Sequence, residues 1–191
     1  MKSINQESSE NYLLKIDFKN NKKQSGIVTF ISLLVLIMLV TIRSYFDPGR
    51  DSAVLKHAWE STSFGNLLCF LITYYAMILS HESIHGVFMK LFGGHDFRFG
   101  MTFKYAYVGC DSTFPKYQYI AIALAPLFIL SMILIPIILF VHADWKWLVY
   151  LMFSFSVAGS AGDVFVSIKV FILPRECFIR DYGLSMVAFM K

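Results

Sequence analysis

The chain has 191 residues, of which 57% are hydrophobic and 16% charged, with a mean hydropathy of +0.59 and a net charge of +4. That is about one domain's length, with an apolar content outside the range of soluble globules. The Lys and Arg residues cluster in the segments that separate the apolar runs, where they act as topology signals and leave no case for nucleic-acid binding.

Residues 1–25 form a polar leader. Within it Tyr12, Leu14, Ile16 and Phe18 alternate with Leu13, Lys15 and Asp17, so a strand and a disordered tail both remain open. Asn20-Asn21 ends the leader like a turn. The first apolar run, from about Gly26 to Ile42, approaches the ~20 residues needed to cross ~30 Å of hydrocarbon. Arg43-Ser44-Tyr45-Phe46-Asp47 after it offers no small-residue cleavage site, so it reads as an uncleaved anchor. A turn at Asp47-Pro48-Gly49 follows, then a surface helix over Asp51–Ser61. His57 and Glu60 in that loop are read as surface residues.

The second run starts at Phe64 and ends towards Phe92, and it contains His81-Glu82-Ser83-Ile84-His85. In a helix, residues four apart share a face, so His81 and His85 can reach one ion. Glu82 lies one step round, where it can act as general base on a water. The pattern H-E-x-x-H thus packs two metal ligands and a base into five residues. The bland alternative is a pair of core histidines. Acidic and imidazole side chains are costly within a bilayer, however, and usually mark chemistry there.

Gly93-Gly94 predicts the helix stop. From Phe97 to Tyr107 aromatic and apolar residues alternate with Arg98, Gly100, Thr102 and Lys104, which predicts a short β-hairpin or ribbon. Gly109-Cys110-Asp111-Ser112 reads as a turn. His95 beside Asp96 could orient a ligand or form a surface pair. The third run covers about Tyr119 to Val141 and carries Pro126 and Pro136, which predict kinks. The fourth covers about Trp147 to Leu173.

Four spans put the leader, the second loop and the tail on one side with thirteen Lys and Arg, against four on the other. This asymmetry predicts a multi-pass cell-membrane protein with both termini in the cytoplasm. The expected fold is an all-α, four-helix polytopic membrane protein with a short cytoplasmic-side β-hairpin between the second and third spans. Its expected domains are a leader at 1–25 and a membrane domain at 26–191, spans falling at about 26–42, 64–92, 119–141 and 147–173. Cys69, Cys110 and Cys177 lack a C-x-x-C pair, so no disulfide framework is expected.

Asp163 and Glu82 are the acidic residues within the four spans. His81 lies 17 residues beyond Phe64, about 25 Å along a helix, and Asp163 lies 16 residues beyond Trp147, at a similar depth. Asp163 is therefore proposed as third ligand, leaving a fourth tetrahedral position for water, as catalytic zinc requires. Ser156, Gly159 and Ser160 share its face and allow close helix approach. Ser80, Ser160 and Tyr74 are weak candidates for an oxyanion donor.

His81-Glu82-Ser83-Ile84-His85-Gly86 with Phe88 and Lys90, Ala125-Pro126, and Gly159-Ser160-Ala161-Gly162-Asp163 together resemble the putative zincin peptidase family of small bacterial membrane proteins, over about Asn66 to Asp181. The set is also similar to site-2 proteases. That resemblance implies ligands at His81, His85 and Asp163, a base at Glu82, and Zn2+ as cofactor. Site-2 proteases carry Asn and Pro ahead of a Leu-Asp-Gly aspartate, where this chain has Ser-Ala-Gly-Asp. The expected function is a membrane-embedded zinc endopeptidase acting on transmembrane or membrane-proximal segments near the cytoplasmic face. Its partners would be the lipid bilayer and a peptide or membrane-protein substrate, in an oligomeric state the sequence leaves open. The alternative is a non-catalytic metal-binding membrane protein serving as an interaction partner or transporter accessory. A channel or proton pathway through Glu82 and Asp163 is the third option, and it predicts no metal.

Overall fold

A computed structural model describes residues 12–46, 64–101, 106–142 and 145–190. The turn expected at Asp47–Gly49 and the helix expected over Asp51–Ser61, with His57 and Glu60, lie outside them. In chain order the elements are β1 (Tyr12–Asp17), α1 (Lys22–Phe46), α2 (Phe64–Leu91), β2 (Phe97–Met101), β3 (Ala106–Cys110), β4 (Thr113–Pro115), α3 (Lys116–Phe140), α4 (Lys146–Gly159), α5 (Ala161–Phe171), β5 (Cys177–Asp181) and β6 (Ser185–Met190).

The all-α expectation is corrected by two sheets. One is antiparallel and four-stranded, in the order β1-β6-β5-β4, and the other is the β2–β3 hairpin. The strands of the tail escaped the pattern reading for a physical reason. Met186, Ala188 and Met190 have little strand preference of their own. Their partners in β1 stand at the far end of the chain, with Tyr12 opposite Phe189 and Asp17 opposite Ser185. The expected four spans are corrected as well. Among the described residues three helices are long and apolar enough to cross a membrane, Lys22–Tyr45, Lys116–Phe140 and Lys146–Phe171.

The contacts divide the chain into two compact units. The first comprises Met1–Gly26, His85–Ala125 and Asp163–Lys191, and it holds both sheets. Its core joins sheet residues Ile16, Phe114, Ile179, Met186 and Ala188 to helix residues Met89, Ile122, Val166 and Val170. Each fully buried side chain of this size contributes about 1.5–3 kcal/mol. Lys116 is buried and donates from Nζ to the carbonyls of Phe171 at 2.7 Å and Leu173 at 2.6 Å. A cation there satisfies the orphan carbonyls at the C-terminal end of α5 and complements its dipole.

The second unit comprises Ile27–Ile84 and Pro126–Gly162. Met77, Leu130 and Leu134 form its small core. The Ser32 hydroxyl donates to the Ala158 carbonyl and the Tyr150 hydroxyl to the Leu39 carbonyl, both at 2.7 Å, tying α1 to α4. Exposed Phe30, Leu33, Leu34, Ile37 and Met38 crowd the rest of α1. This helix has the length and apolarity to cross a membrane.

Local signals set the ends of several elements. Asn21 caps α1 by accepting from the Gln24 N–H at 3.1 Å. Asp17 accepts from the Lys19 and Asn20 N–H groups, closing the turn read from Asn20-Asn21. The predicted stop at Gly93-Gly94 ends α2 with a Schellman motif. Gly94 N–H reaches the Met89 carbonyl at 2.8 Å, Gly93 N–H reaches Lys90 at 3.0 Å, and Gly93 adopts φ +85°.

The alternating aromatic stretch does form a hairpin, with Phe97 opposite Cys110 and Met101 opposite Ala106. Gly109-Cys110, read as a turn, instead lies within β3. A glycine is needed there because a Cβ on residue 109 would sit 2.4 Å from the Tyr182 carbonyl carbon. Gly109→Ala should therefore force the hairpin off the β5–β6 loop and cost about 1–3 kcal/mol, read as a lowered thermal midpoint of the detergent-solubilised protein. A wild-type midpoint would contradict the close approach.

Candidate metal centre

The last two turns of α2 bring the motif into the protein. His85 and Gly86 are buried, while His81 and Glu82 are half-buried. The Phe99 ring and the Val108 side chain lie 3.4 and 3.6 Å from where a Cβ on Gly86 would stand, so the β2–β3 hairpin packs directly on the motif helix.

The orientation of His85 follows from its hydrogen bond. Nδ1 lies 3.0 Å from the Ile122 carbonyl oxygen. A carbonyl can only accept, so Nδ1 carries a proton, and in the neutral ring Nε2 then presents a lone pair. That Nε2 stands 3.4 Å from Asp163 Oδ1. Two lone-pair-bearing atoms at this separation require a positive charge between them, either a proton or a metal ion. Two ligands of a tetrahedral zinc, each about 2.0–2.2 Å from it, are about 3.3–3.6 Å apart. The observed spacing fits that figure.

Asp163 lies just after an irregular point in the fourth apolar run. Within the apolar helical stretch Lys146–Phe171 the regular pattern is interrupted at Ser160, where α4 ends and α5 begins at Ala161. Ser160 donates its hydroxyl back to the Ser156 carbonyl at 3.0 Å, a bond that often bends helices. The break places Asp163 in the first turn of α5, where a carboxylate complements the helix dipole.

His81 stands one turn before His85 on the same unbroken helix. One ligand atom from each of His81, His85 and Asp163 lies within 4.8 Å of the others. Among the described residues the group has these three members. Two imidazole nitrogens and one carboxylate oxygen form a donor set that suits zinc. Three protein ligands match a catalytic site, whereas structural zinc takes four. The His85–Ile122 bond is the outer contact that usually fixes a metal-binding imidazole.

Other candidates fall elsewhere. The Ser80 hydroxyl donates to the Ala76 carbonyl at 2.8 Å, and Ser160 is engaged as described, so both are committed to their own helices. Tyr74 packs edge-on against Phe155. His95 is exposed and keeps to Ser112 and Asp96 at the turn after α2. Cys110 and Cys177 are buried free thiols outside the ligand group, and burial pushes both up, away from the thiolate.

Two further side chains escaped the sequence reading. Tyr119, buried at the start of α3, donates its hydroxyl to Asp181 Oδ2 at 2.6 Å. Gly183 N–H donates to Asp181 Oδ1 at 2.7 Å. Withdrawal from water pushes the Asp181 carboxyl up to about 6. The two donors oppose that rise, while the charge of Asp163 adds to it. Only the pairing of distant strands makes Asp181 an interior residue, and no local pattern announces it.

A family model described as "Putative zincin peptidase" matches residues 74–178, more than half of the chain. No curated protein and no solved structure matches it.

The Asp181 carboxyl binds its proton more tightly folded than unfolded, where 3.8 is its ordinary value. Its contribution to stability is therefore complete below about pH 4 and lost as pH rises through about 6. Asp181→Asn should remove this dependence in the metal-free protein. The difference in thermal midpoint between variant and wild type should shift towards the variant across that window. A difference independent of pH would refute the assignment.

Proposed function

This chain belongs to the putative zincin peptidase family, and from that premise we propose that it is a membrane-embedded zinc metalloprotease of the site-2 protease type. Its ligands in this reading are His81, His85 and Asp163, and its general base is Glu82. The observation that carries the proposal is the opposition of His85 Nε2 and Asp163 Oδ1 at 3.4 Å, with His81 one helical turn away.

Zinc held by these residues supplies Lewis acidity, polarising the scissile carbonyl and bringing the pKa of water to about 7. The rest of the chemistry falls to the chain. Ile122 holds the His85 ring so that Nε2 faces Asp163. Glu82, next to His81 on α2, takes the proton of the attacking water and delivers it to the leaving amine. Asp163 contributes one negative charge, so the three ligands together leave a divalent ion with net positive charge for the developing oxyanion.

The substrate is a transmembrane or membrane-proximal segment. Three helices of sufficient length and apolarity support a membrane location, and the distribution of Lys and Arg supports cytoplasmic termini. A helical peptide bond is shielded by its own hydrogen bonds, so the substrate must unwind before hydrolysis. The β2–β3 hairpin beside Gly86 supports a strand-like mode of presentation, since an extended peptide can add to a sheet edge.

Cleavage of a purified membrane-anchored reporter tests the proposal, together with zinc content. Glu82→Gln should keep zinc and lose cleavage by about 10²–10⁴-fold. His81→Ala and Asp163→Ala should lose both. If Glu82→Gln cleaved at the wild-type rate, or the wild type held no zinc, the protease reading would be wrong. Retention of metal and of all measurable function in Glu82→Gln would favour a non-catalytic interaction partner or transporter accessory.

A further inference from the structure

We infer that Pro126 is a positioning residue for the metal centre, acting by releasing the Ile122 carbonyl to hold His85. The inference rests on the metal-centre reading above and deepens it. In an α-helix the carbonyl of residue i accepts from the N–H of residue i+4. For Ile122 that residue is Pro126, which lies inside α3 and has no N–H to give. The Ile122 carbonyl is thus left without its helical donor.

Water is a poor substitute there. Ile122 is 1% exposed and Pro126 is among the fully buried side chains. A buried carbonyl needs a partner, and His85 Nδ1 stands 3.0 Å from this one. One proline therefore accounts for a helix defect and for the state of an imidazole on another helix. It opens an acceptor where His85 can donate, the donation keeps a proton on Nδ1, and Nε2 is the nitrogen that faces Asp163.

The same helix supplies a control. Pro136 also lies inside α3, and the carbonyl it releases belongs to Met132. Met132 is exposed, and His85 has its bond to Ile122 instead. If prolines mattered here only as kinks, the two positions would behave alike.

Replacing Pro126 with an ordinary residue returns an N–H that competes with His85 for the Ile122 carbonyl. Pro126→Ala and Pro126→Val both do this while leaving different volumes, so a simple packing defect would separate them. In the full-length, detergent-solubilised protein, imidazole 15N NMR reads the His85 tautomer without metal. Competition with a chromophoric chelator reads the affinity for zinc alone. The wild type should show the Nδ1–H tautomer. Both Pro126 variants should show a mixture and bind zinc about 10–100-fold more weakly. Pro136→Ala should match the wild type within about twofold in affinity and keep its tautomer.

A wild-type tautomer and affinity in either folded Pro126 variant would overturn the inference, as would an equal loss in Pro136→Ala. Should the wild type bind no zinc, the metal reading fails, and the tautomer comparison still decides whether Pro126 governs His85.

Discussion

The hydrogen bond from His85 Nδ1 to the Ile122 carbonyl is the contact on which the candidate centre depends. It connects the motif helix to the next apolar helix and decides which ring nitrogen keeps its lone pair. Without it the ring could turn or change tautomer, and the 3.4 Å approach to Asp163 would carry no chemical meaning. With it, an acceptor faces an acceptor in a half-buried place. That arrangement is unfavourable in the absence of a positive charge between the two. A proton on the imidazole or a bound cation supplies that charge.

The remainder of the first unit keeps these groups in place. The sheet built from both ends of the chain backs α2 through Met89 and α3 through Ile122, both almost fully buried. Lys116 anchors the start of α3 to the carbonyls that follow α5. The element bearing the Ile122 acceptor is thereby fastened to the element bearing Asp163. Helices alone, sliding in lipid, would hold a metal geometry less firmly than helices pinned to a hydrogen-bonded sheet. The four-stranded sheet has a mechanical reason to exist in so short a chain.

Family membership and geometry bear on different questions. The family match covers residues 74–178, which include both histidines, Glu82 and Asp163, and it supports a metallopeptidase. The oxyanion contact is the weakest part of the protease reading. Ser80 and Ser160 are bound to their own helices, and the chain lacks the asparagine that site-2 proteases carry ahead of the aspartate.

Much of this was legible in the chain alone, wherever the governing physics is local. Helical periodicity put His81 and His85 on one face, two glycines stopped α2, and alternating aromatics announced the hairpin. The rarity of acids in apolar runs singled out Asp163. What escaped was long-range. Strands β5 and β6 are short, and their partners β1 and β4 lie far away in the chain. Asp181 becomes an interior carboxyl only through that pairing. Gly109 reads as a turn until the Tyr182 backbone is found against it. The break at Ser160, the choice of Ile122 as acceptor and the distance from His85 to Asp163 likewise came from the tertiary structure. Residue chemistry and helical pitch fix which groups can share a face of one element. Which groups on separate elements meet depends on how the whole core packs, and only the folded chain decides that.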